Sequence, residues 1–130
     1  MFMHYLDEAE KKAFFDLAQQ MIVADGYIAD AEMAYLDRLY AETGVSDAAP
    51  ISDVNEHVDM TVFKSARSRL VVGVELLVIS VVDGEYHPDE AEFANNIIDD
   101  FGITHDQHAE LCRIAEKAAD AVVSMHNMFD

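Results

Sequence analysis

The sequence has few cysteines and prolines, and each shortage excludes a class of protein. A single cysteine, Cys112, excludes an internal disulfide framework and favours a cytoplasmic protein whose thiol is buried or partly buried. Two prolines among 130 residues, of which 52% are hydrophobic, argue against long disordered segments. No secretory leader is expected, because Asp7, Glu8 and Glu10 interrupt the N-terminal stretch.

Basic residues are also scarce. Eight lysines and arginines stand against 26 aspartates and glutamates, which gives a net charge of −18. Nucleic-acid binding needs clustered basic residues, and the only local group, Lys64, Arg67 and Arg69, is expected to be a solvated helix face. The acidity has three interpretations, which the composition leaves open: it keeps the protein soluble, it attracts cations or a basic protein partner, or it suits a high-salt cytoplasm.

No hydrophobic run is long enough to predict a membrane span. The most apolar stretch, LVVGVELLVISVV within residues 61–82, is too short and contains Glu75. Because it is apolar on nearly all sides, it predicts a helix at the centre of a bundle. Its valines would also suit a buried strand, but no second strand is predicted to pair with it.

Elsewhere, apolar residues recur at the spacing of amphipathic helices. The stripes are Ala13, Phe14, Leu17, Ala18, Met21 and Ile22; Met33, Leu36, Leu39 and Tyr40; and Leu111, Ala115, Ala118 and Val122. Capping boxes are predicted at Asp7–Glu10 and Thr104–Gln107, and Gly44 and Gly102 are predicted to end helices. The fold prediction is all-α, a compact multi-helix bundle in one domain over residues 1–130.

Two stretches, ADGYIADAE and VDGEYHPDE, align at an offset of 58 residues without a gap. The matched pairs are Asp25 and Asp83, Gly26 and Gly84, Glu32 and Glu90, and Gly44 and Gly102. The alignment predicts two pseudo-repeated helix–turn–helix units that pack face to face around one core.

Each stretch matches the second half of a calcium-binding EF-hand loop. In the first copy, Asp25, Gly26 and Glu32 fall on loop positions 5, 6 and 12. Positions 1 and 3 are Met21 and Val23, which cannot bind a cation. A purely structural explanation is also available, because a glutamate at the third position of a helix can accept the backbone N–H three residues earlier.

The same stretches, each followed by an amphipathic helix that ends in TGVS or FGIT, resemble the tellurite-resistance protein TerB family. That family's signature is A-D-G-x-I-x-x-x-E, a leucine-rich helix and L-G-[LIV]-[ST]. The resemblance implies a compact all-α bundle in a cytoplasmic or membrane-peripheral stress-response protein. It also implies that acidic turn residues bind divalent cations. Here these would be Asp25, Glu32, Asp83 and Glu90, with Asp30 and Asp89 as neighbours.

The second copy departs from the signature at Val82, where alanine is expected, and at Tyr86, where isoleucine is expected. The helix-capping positions hold Ala29 and His87, although serine or aspartate would be usual at the first of them. His87 could add a nitrogen ligand and shift the preference towards a transition metal.

A further candidate is THDQH, which places His105 and His108 on one face of a helical turn, with Asp106 between them. They could form part of a metal site, or they could simply be exposed histidines at a helix start. No nucleophile elbow, phosphate loop, zincin motif or sequence-supported Cys–His pair is present, so enzymatic activity is not expected.

The residues predict a non-enzymatic protein, and the resemblance implies a stress-response role, with a divalent cation at the two acidic turns as a candidate ligand. The alternative is a metal-independent acidic module that binds protein partners. Its contact surface would combine an acidic face with an apolar patch at MHNMF, near the C-terminus.

Overall fold

A computed structural model describes residues 2–24, 26, 29–44, 58–82, 84 and 87–129. These residues form five α-helices and two short 3₁₀ turns. The helices are α1 (Glu8–Val23), α2 (Asp30–Thr43), α3 (Ala66–Val81), α4 (Pro88–Asp100) and α5 (His105–Phe129), and the turns are Met3–Tyr5 and Met60–Val62. The prediction of an all-α multi-helix bundle is confirmed, and no strand occurs within the described ranges. The short helix considered after Ser52 lies outside them.

Helix α3 is the central element of the bundle and packs against each of the other four helices. Every residue from Val71 to Ser80 is buried, as the almost entirely apolar sequence of this stretch predicts. The helix begins later than expected. Ser65 caps it by accepting the N–H of Ser68 at 3.0 Å, and the preceding residues Met60–Val62 form a separate 3₁₀ turn.

Local capping chemistry sets the other helix ends. Asp7 Oδ1 accepts the N–H of Glu10 at 2.8 Å, while Glu10 Oε1 accepts the N–H of Asp7 at 2.9 Å. Thr104 and Gln107 exchange the equivalent pair of bonds at 3.2 and 3.3 Å. Both predicted capping boxes are therefore confirmed, and they fix where α1 and α5 begin.

The apolar stripes line one continuous core that extends from Met3 to Val122. The predicted stripe of α1 is buried throughout. In α2, Tyr35 is buried, whereas Met33 and Tyr40 are half-buried. In α5, the predicted Ala118 is half-buried and Ala119 takes the inner position, because α5 is rotated slightly from the predicted face.

The contacts between helices bear on the predicted duplication. Helix α1 contacts α4, α2 contacts α3, and α1 contacts α3. Two helix–turn–helix units that pack face to face would make these contacts. The contacts do not establish a duplication, which stays a prediction. None of the described helices has both the length and the hydropathy of a membrane span.

Candidate functional site

The two glycine turns have nearly the same backbone geometry. Gly26 has φ 76° and donates its N–H to Val23 O at 3.0 Å, and Gly84 has φ 78° and donates to Val81 O at 3.1 Å. A positive φ is readily adopted only by glycine, so these two residues end α1 and α3 and turn the chain towards the next helix.

A glutamate follows each turn at the third position of the next helix. Glu32 in α2 and Glu90 in α4 both have 0% of their surface exposed. Glu32 Oε1 accepts the N–H of Ala29 at 3.1 Å, so the predicted capping contact is confirmed in α2. The Ala29 side chain cannot accept a hydrogen bond, so the bond to Glu32 is the side-chain hydrogen bond that caps this helix.

The first positions of the EF-hand loop are occupied by helical residues. Met21 and Val23, at loop positions 1 and 3, belong to α1, and Met21 is fully buried. Asp25 and Asp83 lie outside the described residues. Within the described ranges, no three histidine, cysteine, aspartate or glutamate side chains come close enough together to hold a metal ion. Asp30 and Asp89, the neighbours of the implied ligands, are exposed on the first turns of α2 and α4.

The histidines of THDQH take different positions. His105 is exposed, whereas the half-buried His108 places Nε2 2.8 Å from Asn95 Oδ1. With the amide oxygen as acceptor, Nε2 carries the hydrogen and the pair links α5 to α4. His108 thus has a structural contact within the bundle.

Cys112 is half-buried beside the core, as expected. Burial raises the pKa of its thiol, and the negative charge of Glu116 raises it further. The thiolate is the reactive form of cysteine, so both effects reduce the reactivity of this side chain.

The basic residues near the start of α3 are engaged within the protein. Arg69 Nε donates to Phe63 O at 2.8 Å, and the Arg67 guanidinium lies 5.1 Å from the centre of the Tyr5 ring. Lys64 and Arg67 are exposed, as expected of a solvated face, whereas Arg69 is half-buried. The two contacts hold this corner of the protein together.

Sequence reasoning did not identify the buried polar pair at the centre of the bundle. Tyr35 in α2 donates its hydroxyl hydrogen to Glu75 Oε2 in α3 at 3.2 Å, and both residues are buried. Burial raises the pKa of Glu75, and hydrogen bonds from the Tyr35 hydroxyl and the Phe2 backbone act in the opposite direction. The only sequence signal was a lone glutamate within an apolar run, and it did not reveal the partner.

The C-terminal end of α5 is the most exposed apolar surface among the described residues. Val122 is the last buried side chain of the helix. Beyond it, Met128 and Phe129 are 82% and 80% exposed, and Val123 and Met125 are also exposed. The predicted MHNMF patch is therefore accessible to a partner.

This end of α5 is also free of charged residues. Residues 121–129 include no lysine, arginine, aspartate or glutamate, although 26% of the chain is charged. The cores of protein interfaces are depleted in charged residues and enriched in methionine and aromatic residues. By both criteria, this surface is a second candidate site, distinct from the glycine turns.

Comparison of the chain with protein-family models, curated proteins and solved structures finds no match.

Proposed function

We propose that this protein is a non-enzymatic binding domain of a cytoplasmic stress-response system, and that it binds a protein partner. The resemblance to the TerB family supports the stress-response role, and the absence of catalytic motifs in the sequence supports the lack of an activity. The net charge of −18 favours a partner with a basic surface.

One observation carries the choice of a protein partner: the exposed, uncharged end of α5. Met128 and Phe129 are both about 80% exposed, so they make few contacts within the protein. A partner can therefore bury them without breaking existing contacts. Burial of apolar surface contributes roughly 25 cal/mol per Å², so two such side chains can anchor an interface.

Capture from extracts of the source cells tests this function. In the presence of chelator, the tagged protein should retain a basic partner that is released at high salt. The variant Met128→Ser with Phe129→Ser should retain at least about tenfold less of it, since it loses the apolar anchors. The matched control, Met128→Leu with Phe129→Leu, should bind like the wild type. Equal capture by all three proteins would contradict the proposal.

A divalent cation is the second candidate ligand. The observation that favours it is the pair of fully buried carboxylates, Glu32 and Glu90, at matching positions after two left-handed glycines. Carboxylate oxygens are the ligands that calcium and magnesium prefer. Asp25 and Asp83 would join them as ligands, as the resemblance implies.

A thermal melt of chelator-treated protein tests cation binding. If a metal binds the folded state at a concentration about 100 times its Kd, it adds about 2.7 kcal/mol of stability, so the Tm should rise by several degrees. The rise should vanish in Asp25→Asn with Asp83→Asn. It should persist in the control Asp30→Asn with Asp89→Asn, which removes the same charge from the adjacent helix starts. No change in the Tm of the wild type with calcium, magnesium, manganese or zinc would exclude the cation.

A further inference from the structure

Helix α5 carries a stripe of exposed and half-buried apolar residues that is separate from its buried face. The stripe, here called the α5 seam, consists of Ile114, Ala118, Ala121, Met125 and Met128. Its residues are spaced alternately four and three apart, which is the repeat of a helix that packs along another helix. At 1.5 Å per residue the seam is about 21 Å long, or about four helical turns.

The buried face of α5 accounts for a different set of residues. Leu111, Ala115, Ala119 and Val122 pack on the core, mainly against α3. The seam lies roughly a quarter-turn away from this face. Of the seam residues, Ala118 also packs against the core. The described part of the chain places no element over the last two turns of the seam, where Met125 and Met128 are exposed.

The residues of the seam suit a helical partner. Ala118 and Ala121 are small enough to allow a second helix to approach closely, and Met125 and Met128 are flexible and adapt to the shape of a partner. Phe129 follows one turn after Met125 and is 80% exposed, so it can close over the end of a docked helix.

Charge decides between a second copy of the chain and a different partner. Each copy carries −18, and a large net charge of one sign keeps proteins apart and monomeric. Among the exposed charged residues of α5 from Glu110 to Asp120, three are acidic and two are basic, so they add no local positive surplus. A partner with basic residues is instead attracted over a distance of about 8 Å at physiological salt.

We propose that the α5 seam is the docking site for a basic amphipathic helix of a partner protein. Apolar residues of that helix pack onto Met125, Met128 and Phe129, and its lysines and arginines are attracted by the net charge of −18 that the protein carries. The inference rests on the proposed function, because it specifies the kind of protein partner and the surface that receives it.

Fluorescence anisotropy with a synthetic peptide tests the proposal. The probe is a labelled peptide of about 18 leucines and lysines, with leucines at the three- and four-residue spacing of an amphipathic helix. It is titrated with the intact protein in chelator at physiological salt. We expect saturable binding that weakens at least about tenfold in Met128→Ser with Phe129→Ser and is unchanged in Met128→Leu with Phe129→Leu.

The design separates docking from simple charge attraction. Neither double substitution changes the net charge, so equal binding by wild type and the serine variant would overturn the proposal. A peptide of the same composition without the helical spacing should bind at least about tenfold more weakly, and equal binding would overturn the requirement for a helix. Failure of the probe to bind the wild type, with capture of a basic partner from extracts intact, would reject the docked helix and leave the proposed function standing.

Sedimentation of the same proteins tests the competing occupant. The wild type should sediment as a monomer. A dimer that dissociates in the serine variant would assign the α5 seam to a second copy and overturn the proposal.

Discussion

Replacing Gly73 by valine should destabilise the protein by about 3 kcal/mol and lower its Tm by about 10 °C. Gly73 lies in α3 and faces side chains of α4 and α5. A Cβ at this position would stand 3.3 Å from Leu111 Cδ1, 3.5 Å from Ile98 Cγ1 and 3.7 Å from Ile103 Cδ1. Valine adds two further methyl groups, and its χ1 is restricted in a helix, so they cannot turn away.

Alanine at the same position is the matched control. Its single methyl group is crowded only by the flexible end of Leu111, since its distances to Ile98 and Ile103 are those of ordinary van der Waals contact. Alanine also favours a helix over glycine by about 1 kcal/mol. Gly73→Ala should therefore be close to the wild type in stability. Urea denaturation followed by circular dichroism measures both variants. If valine and alanine gave the same stability, α5 would not pack against α3 as closely as described.

The second large effect is expected at the buried pair of Tyr35 and Glu75. Tyr35→Phe keeps the aromatic ring and removes the hydrogen that the hydroxyl donates to Glu75 Oε2. Above the folded pKa of Glu75, the loss of this bond should cost about 2 kcal/mol, because a hydrogen bond to a buried charged group is stronger than one between neutral groups. Urea denaturation of the wild type and the variant gives the difference.

The pH dependence of this pair has a definite sign. Burial raises the pKa of Glu75 above its ordinary value of 4.5, so the folded protein binds a proton here more tightly than the unfolded chain. The contribution of Glu75 to stability is therefore largest below pH 4.5 and falls as the pH rises through its folded pKa. In the same interval the destabilisation by Tyr35→Phe should grow, since the hydroxyl stabilises the ionised carboxylate.

Glu75→Gln isolates this contribution. It removes the titration and nearly preserves the shape, so the stability of the wild type relative to this variant should fall as the pH rises above 4.5 and through the folded pKa of Glu75. A constant difference between the wild type and Glu75→Gln would show that Glu75 has the same pKa in the folded and unfolded states.

The parts of the fold that depend on neighbours in the chain were predictable. A capping box joins residues three apart, so the bonds between Asp7 and Glu10 follow from the residue types alone. The same reasoning anticipated the bond from the Ala29 N–H to Glu32. The start of α3 was misplaced, because Ser65 and Thr61 both offer side chains that can cap a helix and the local sequence does not choose between them.

The candidate sites were predictable to different degrees. The positions of Glu32 and Glu90 followed from the repeat, but their complete burial depends on how the helices around them pack. The apolar residues near Met128 were visible in the sequence. Their exposure was not, because an apolar residue at the end of an amphipathic helix can equally lie in a core.

The sequence by itself determined the all-α class, the glycine turns and most helix ends, because each depends on residues within one or two helical turns. Only the tertiary structure decided the rest. It brought Tyr35 to Glu75 across 40 residues, and it left the end of α5 beyond the reach of the core. These outcomes depend on how five helices pack around α3, and the spacing of residues along any one helix leaves that arrangement open.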